Sequence, residues 1–291
     1  LETGYCFAIN KEKGLTSLKV VKAVKKLVAS KKAGHGGALD PMASGVLVVF
    51  TDRLSKLTNF CHLLPKKYVA KIRVGLLTET FDLEGAVICQ DSKITLSKDE
   101  VLKALENLKG ELMQKPPSAS AVKVKGRPAY YYFRRKESVD LGFRKVVLKD
   151  YRLLELQDND ITVYLETSGG FYVRTYANDL GLWLGTCGGC LLELKRLAVG
   201  AISEADSVKL SELRKEHGLN WFRLFMGVPA IDISDIEVEV KRKSAEVKNE
   251  LSRRLQAKRL NAELATLCKA GDPVGLIGRF RGSPEIQIWL S

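Results

Sequence analysis

Strand-period and helix-period segments are interspersed along this chain, a pattern compatible with an α+β fold, and apolar residues suffice for a core. Alternation marks 66–74 and 161–166 as strands, whereas Val20, Val21, Val24, Leu27 and Val28 recur at helical spacing. The 291 residues are 45% hydrophobic and 28% charged, which suits one large core, or a large domain with a small one, and excludes a disordered chain.

The elements follow in order. Phe7 to Asn10 forms a short strand; Gly14 and the hydroxyls of Thr16 and Ser17 then supply a turn and a cap for a helix, with Lys19, Lys22, Lys25 and Lys26 on its solvated sides. The stretch GHGGALDPMASGVL occupies 34–47. Its glycines Gly34, Gly36 and Gly37 open backbone angles closed to other residues and admit another molecule close to the main chain. Asp40-Pro41 standing alone would read as an N-cap opening a helix, but Val46 to Phe50 reads as a buried strand. That leaves a carboxylate between a glycine loop and an apolar strand, a position suited to a nucleophile or a base. A helix packed by Leu54, Leu57 and Phe60 follows over 51–64, then the strand 66–74. Ser97 and Glu100 form a capping box ahead of Val101, Leu102, Leu105 and Leu108.

Between 123 and 136, Lys123, Lys125, Arg127, Arg134, Arg135 and Lys136 flank the run Tyr130, Tyr131, Tyr132 and Phe133. Such a mixture either neutralises phosphates and stacks on bases or is a basic loop over an aromatic mini-core. Arg174 is placed on a strand just before a helix carrying Tyr176, Leu180 and Leu184. Composition changes near Pro229; a basic helix with Val247, Leu251 and Leu255 follows, and the chain ends in two short strands.

The formal charge of +13 draws polyanions, with nucleic acid the first candidate and an acidic membrane surface the other. No apolar run reaches the length of a membrane span and the N-terminus lacks the layout of a secretory leader, so a cytoplasmic location is expected. The six cysteines read as free thiols. Cys187 and Cys190 have metal-ligand spacing, but Cys6, Cys61, Cys89 and Cys268 are scattered and only three histidines exist, so neither a metal nor a cofactor is expected.

On these residues the chain resembles the TruB-type pseudouridine synthases, which isomerise a uridine in the T loop of tRNA (position 55). The stretch 34–47 matches their active-site pattern Gly-His-x-Gly-x-Leu-Asp-Pro-x-Ala-x-Gly-x-Leu without a gap. Residues 10–17 resemble the opening motif Lys-Pro-x-Gly-x-Thr-Ser, with Glu12 at the proline position. Tyr68 falls on a Lys-x-Tyr motif, and 75–85 on Gly-x-x-Thr-Asp-Thr-x-Asp-x-x-Gly with Glu79 for the first Asp. The segment 114–126 resembles Gln-x-Pro-Pro-x-Tyr-Ser-Ala-x-Lys-x-x-Gly with Ala119 for the Tyr, and 168–174 resembles Ser-Lys-Gly-x-Tyr-Ile-Arg with Gly169 for the Lys. Leu194 to Gly200 matches Leu-x-Arg-x-x-x-Gly.

The resemblance implies a catalytic domain over 1–229 with a mixed, largely antiparallel sheet around a central cleft, and a thumb-like loop at about 116–146 that closes on the tRNA stem-loop. It implies a small RNA-binding module at 230–291, PUA-like in the family, although the long basic helix departs from that pattern. Asp40 becomes the catalytic carboxylate and Arg174 the partner that lowers its pKa. Tyr68 and Leu194 sandwich the target base, Asp82 holds the flipped-out nucleotides, and His35 fills the space left behind. Tyr172 and Lys123 join the substrate contacts. The implied reaction breaks the bond from uracil N1 to ribose, turns the base and rejoins it through C5, with no metal or cofactor. The implied partner is the T stem-loop, with no obligatory protein partner. A non-catalytic tRNA-binding or folding factor and a guide-RNA-dependent enzyme of archaeal and eukaryotic type stay open as alternatives.

Overall fold

The structure, a computed structural model, describes residues 4–219 and the short segments 276–278 and 286–288. The chain divides into two units, Leu1–Trp221 and Phe222–Ser291. In the second, Leu276–Gly278 pairs antiparallel with Ile286–Ile288; the basic helix expected around 247–255 lies outside the described residues.

The first unit runs β1 (Cys6–Lys11), α1 (Ser17–Leu27), β2 (Ala33–His35), β3 (Ser44–Thr51), α2 (Thr58–Leu63), β4 (Lys66–Val74), β5 (Leu76–Thr78) and β6 (Val87–Gln90). It continues with α3 (Lys98–Asn107), β7 (Gly110–Gln114), β8 (Lys123–Val124), β9 (Arg127–Pro128), α4 (Ala129–Arg134), β10 (Arg144–Gln157), β11 (Asp160–Thr167), α5 (Val173–Trp183), β12 (Gly189–Val199), β13 (Ile202–Ser203) and β14 (Val208–Lys209). One ten-stranded sheet organises the unit in the order β14-β1-β3-β12-β4-β11-β10-β7, with β2 beside β3 and β13 beside β12. Pairing is parallel at β1–β14 and β3–β12 and antiparallel elsewhere, so the sheet is mixed and largely antiparallel.

The apolar pattern explains the placement. In β3 every residue from Gly45 onward is buried, as a central strand requires, whereas β4 alternates strictly between buried and half-buried positions. Val20, Val21 and Val24 of α1, Val101, Ala104 and Leu105 of α3, and Tyr176, Ala177 and Leu180 of α5 share one core with Leu47, Val49, Ala70, Ile72, Val163 and Leu165 of the sheet. Each Val, Leu or Ile side chain among them contributes roughly 1.5–3 kcal/mol of burial. The Thr16 hydroxyl caps α1, and Ser97 with Glu100 closes a reciprocal box on α3.

Four local expectations change. The segment 51–64 is not one helix: a 3-10 segment, Asp52–Leu57, precedes α2. The left-handed backbone at Asp52 turns the chain, and the ammonium of Lys66 folds back onto the carbonyls of Cys61 (3.0 Å), His62 (2.6 Å) and Leu64 (2.7 Å), closing α2 after little more than a turn. Leu27 is 37% exposed because Val28 takes the core position in the last turn of α1. Arg174 lies in the first turn of α5 and not on a strand, since the helix opens at Val173 directly after its N-cap Tyr172. Of the three glycines at 34, 36 and 37, Gly37 alone has a positive φ (+133°); Gly36 is required by contact, because a Cβ there would strike the thiol of Cys61.

Candidate active site

The loop between β2 and β3 is clasped on both sides of Asp40. The hydroxyl of Ser17 donates to the carbonyl of Leu39 and accepts from its N–H, both at 2.9 Å. The carbonyl of Pro41 accepts from the Gly14 N–H (2.7 Å) and faces the Lys11 ammonium at 3.4 Å. From β12, the buried guanidinium of Arg196 donates to the carbonyls of Val46 (2.7 Å), Gly37 (3.0 Å) and Ala38 (3.3 Å). Main-chain carbonyls within a loop are costly to bury unpaired, so these cations fix the loop by satisfying it. Gly45 has φ +101° and admits no Cβ, because the Arg196 backbone lies against it.

Into this frame α5 brings Arg174, 5% exposed, whose fork meets two carboxylates. Its Nε lies 2.9 Å from Asp40 Oδ2 and its Nη2 donates to Asp40 Oδ1 at 3.2 Å. Nη1 lies 3.5 Å from Asp82 Oδ2 and donates to the Thr80 carbonyl (3.1 Å), while Nη2 also donates to the Ala119 carbonyl (2.9 Å). Asp82 is 2% exposed and held further by the Thr80 hydroxyl (2.5 Å) and the Glu84 N–H (3.0 Å). The Asp40 side chain keeps 34% of its surface open, so of the two carboxylates it is the one that another molecule reaches.

Burial pushes the Asp40 carboxyl above its ordinary value and nearby Asp82 adds to this, against the pull of Arg174 and Lys11. The expected lowering by Arg174 is therefore present but outweighed. Burial likewise pushes the Tyr68 phenol up and the His35 imidazole down, with Arg196 adding to the fall at His35.

Tyr68 on β4 and Leu194 on β12 are 7% and 8% exposed. The register pairs Tyr68 with Arg196 and Ala70 with Leu194, which sets Tyr68 and Leu194 diagonally on one face of the sheet. The charges of Arg196 and Asp40 both act on the Tyr68 phenol, the first pulling its pKa down and the second pushing it up. Tyr172 is oriented through its backbone: the Gln114 amide accepts from its N–H (2.9 Å) and donates to its carbonyl (3.2 Å). His35 sits at the far end of the loop, edge-on to His62 at 6.3 Å. Lys123 lies apart from this cluster, exposed on β8. Near it Arg127 covers the ring of Tyr131 (4.4 Å) and Arg134 that of Tyr130 (5.5 Å), and Tyr130 is 44% exposed.

Sequence reasoning passed over Lys11, Gln114 and Arg196 as site residues. All three are 0–2% exposed and act on backbone atoms of the site. For all three the signal was their place inside the motifs at 10–17, 114–126 and 194–200.

A reachable carboxylate gripped by a buried guanidinium beside an aromatic and an aliphatic wall is the arrangement of an enzyme site. Residues 25–173 match the family model described as TruB family pseudouridylate synthase (N terminal domain). The tRNA pseudouridine synthase B of Clostridium kluyveri is 33% identical over 246 residues, covering 83% of this chain and 84% of that protein. The protein of the same name from Rhodococcus jostii is 37% identical over 216 residues, 73% of this chain and 71% of the other. Among solved structures, a chain of the crystal structure of a Cbf5-Nop10-Gar1 complex superposes with a TM-score of 0.56 at 25% identity, covering 77% of this chain and 59% of that one. The chain belongs to the TruB family of pseudouridylate synthases and is an isomerase.

Proposed function

We propose that this isomerase converts a uridine of tRNA to pseudouridine, acting at the T-loop uridine (position 55). The observation that carries the reading is the bidentate pairing of Asp40 with Arg174 inside a loop clasped from three elements. Asp40 supplies the carboxylate that attacks the sugar or the uracil, and the guanidinium favours its ionised form. Tyr68 and Leu194 take the extruded base between them, Tyr172 holds neighbouring groups of the flipped nucleotides, Asp82 acts on them through the Arg174 guanidinium it braces, and His35, kept neutral by burial, fills the gap in the loop. The thumb, 116–146, closes on the stem with Lys123 against phosphate. The segment 230–291 serves as a divergent RNA-binding module.

The enzyme works without guide RNA or protein partners in this reading, and in the cytoplasm. Among the described residues no helix is long and apolar enough to cross a membrane. The test is tritium release from an unmodified tRNA transcript labelled at uracil C5, followed by mapping of the product. Release from the T-loop uridine alone, with the chain as sole protein, is the expected result. No release, release from another loop, or a need for added RNA and proteins would overturn it.

A further inference from the structure

We propose that Cys89, Asp91 and Cys187 bind a thiophilic divalent cation of the zinc type, with water completing the shell. The three ligand atoms lie within 4.8 Å of one another, on half-buried side chains. Tetrahedral zinc, with bonds of about 2.3 Å to sulfur and about 2.0–2.2 Å to oxygen, sets its ligands about 3.8 Å apart or closer. The shell thus closes on an inward movement of about 1 Å, and three protein ligands leave the fourth position to solvent.

The backbone already fixes the spacing. The Cys187 N–H donates to Asp91 Oδ2 (2.8 Å), orienting the carboxylate and leaving lone pairs for the ion. The Asp91 N–H donates to the Gly75 carbonyl (2.9 Å), and the Gly75 N–H to the Gly188 carbonyl (2.8 Å), so the end of β6 and the turn between α5 and β12 are framed together. Asp91 has no ion pair among the described residues. A carboxylate and two ionisable thiols therefore converge with no cationic side chain paired to Asp91 among the described residues. On binding, both thiol protons pass to solvent and the cation supplies the positive charge.

Cys190, the other half of the sequence pair, is buried with its thiol 4.0 Å from the Leu191 carbonyl and takes no part. The ligand set is thus gathered by folding from positions that look scattered in the sequence. Its mechanical effect falls on the loop between β5 and β6: that loop carries Asp82, which bridges to Leu191 of β12. A cation here fastens the strand leaving this loop to the corner from which β12 departs.

The test uses the full chain, reduced and freed of metal with a chelator, titrated with Co²⁺ and then Zn²⁺. Expected are one ion per chain, a thiolate-to-cobalt charge-transfer band displaced by Zn²⁺, and a rise in Tm with Zn²⁺. The band should vanish in Cys89→Ser and Cys187→Ser, weaken at least about tenfold in affinity in Asp91→Asn, and persist in Cys190→Ser and Cys268→Ser. In the unaltered chain, where no variant need fold, Zn²⁺ should shield Cys89 and Cys187 from alkylation as read by peptide mass spectrometry. Absence of the band, its survival in Cys89→Ser or Cys187→Ser, unshielded thiols, or a Cys89–Cys187 disulfide in unreduced protein would overturn the site.

Discussion

At Asp40 burial and Asp82 push the pKa up, and Arg174, ahead of Lys11, is the strongest pull against them. Arg174 reaches Asp40, Asp82 and two carbonyls from one planar fork, which the point charge of a lysine does not reproduce. Arg174→Lys is expected to lower turnover on the order of 100-fold with smaller change in RNA affinity; kcat and KM measured separately check this. Another carboxyl, Asp179 on α5, shows the effect of burial on its own. Burial pushes Asp179 up to about 6. A carboxyl raised in the folded state favours folding below its unfolded pKa, and that advantage is lost as pH rises through the folded value. Asp179→Asn should therefore raise stability by roughly 1–2 kcal/mol at about pH 8 and leave it nearly unchanged at about pH 4. Thermal melts at the two pH values read the difference.

Elements were legible where period and burial agree. The alternation of β4 and the capping box of α3 stand in the letters and in the structure alike. The chain corner at Asp52 was not legible, because a left-handed backbone at a non-glycine residue has no sequence period. The partners of buried cations were equally hidden. Lys11 and Arg196 stand in motifs and Lys66 looks like a solvated charge, yet nothing in the letters says that all three donate to main-chain carbonyls, some supplied by distant segments. The loop around Asp40 shows both halves of this lesson: its motif was visible, while the clasp from Arg196 was not. Arg196→Met should leave the carbonyls of Gly37, Ala38 and Val46 without that donor and let the loop drift. A displacement of about 1 Å costs on the order of 100-fold in rate, so kcat should fall far more than KM rises in protein whose circular dichroism is native. Unchanged kcat in such protein would reduce Arg196 to a packing role.

Across the whole molecule the chain carries a surplus of 13 positive charges, and in the segment proposed as the thumb Arg127 and Arg134 lie over the rings of Tyr131 and Tyr130 while Tyr131 packs edge-on to Tyr132. Replacing Lys123, Arg127 and Arg134 with Ala should weaken tRNA binding and flatten its salt dependence by about 0.7–0.9 in log–log slope for each phosphate no longer neutralised. An unchanged slope would mean that the thumb does not touch the phosphates. In the proposed reaction one carboxylate does the chemistry, and Asp40→Asn isolates it, since the amide keeps the shape and removes the charge. Single-turnover tritium release from a T-loop transcript, measured beside binding of the same transcript, should show turnover abolished and affinity preserved. Turnover within about tenfold of the unaltered enzyme would contradict the account.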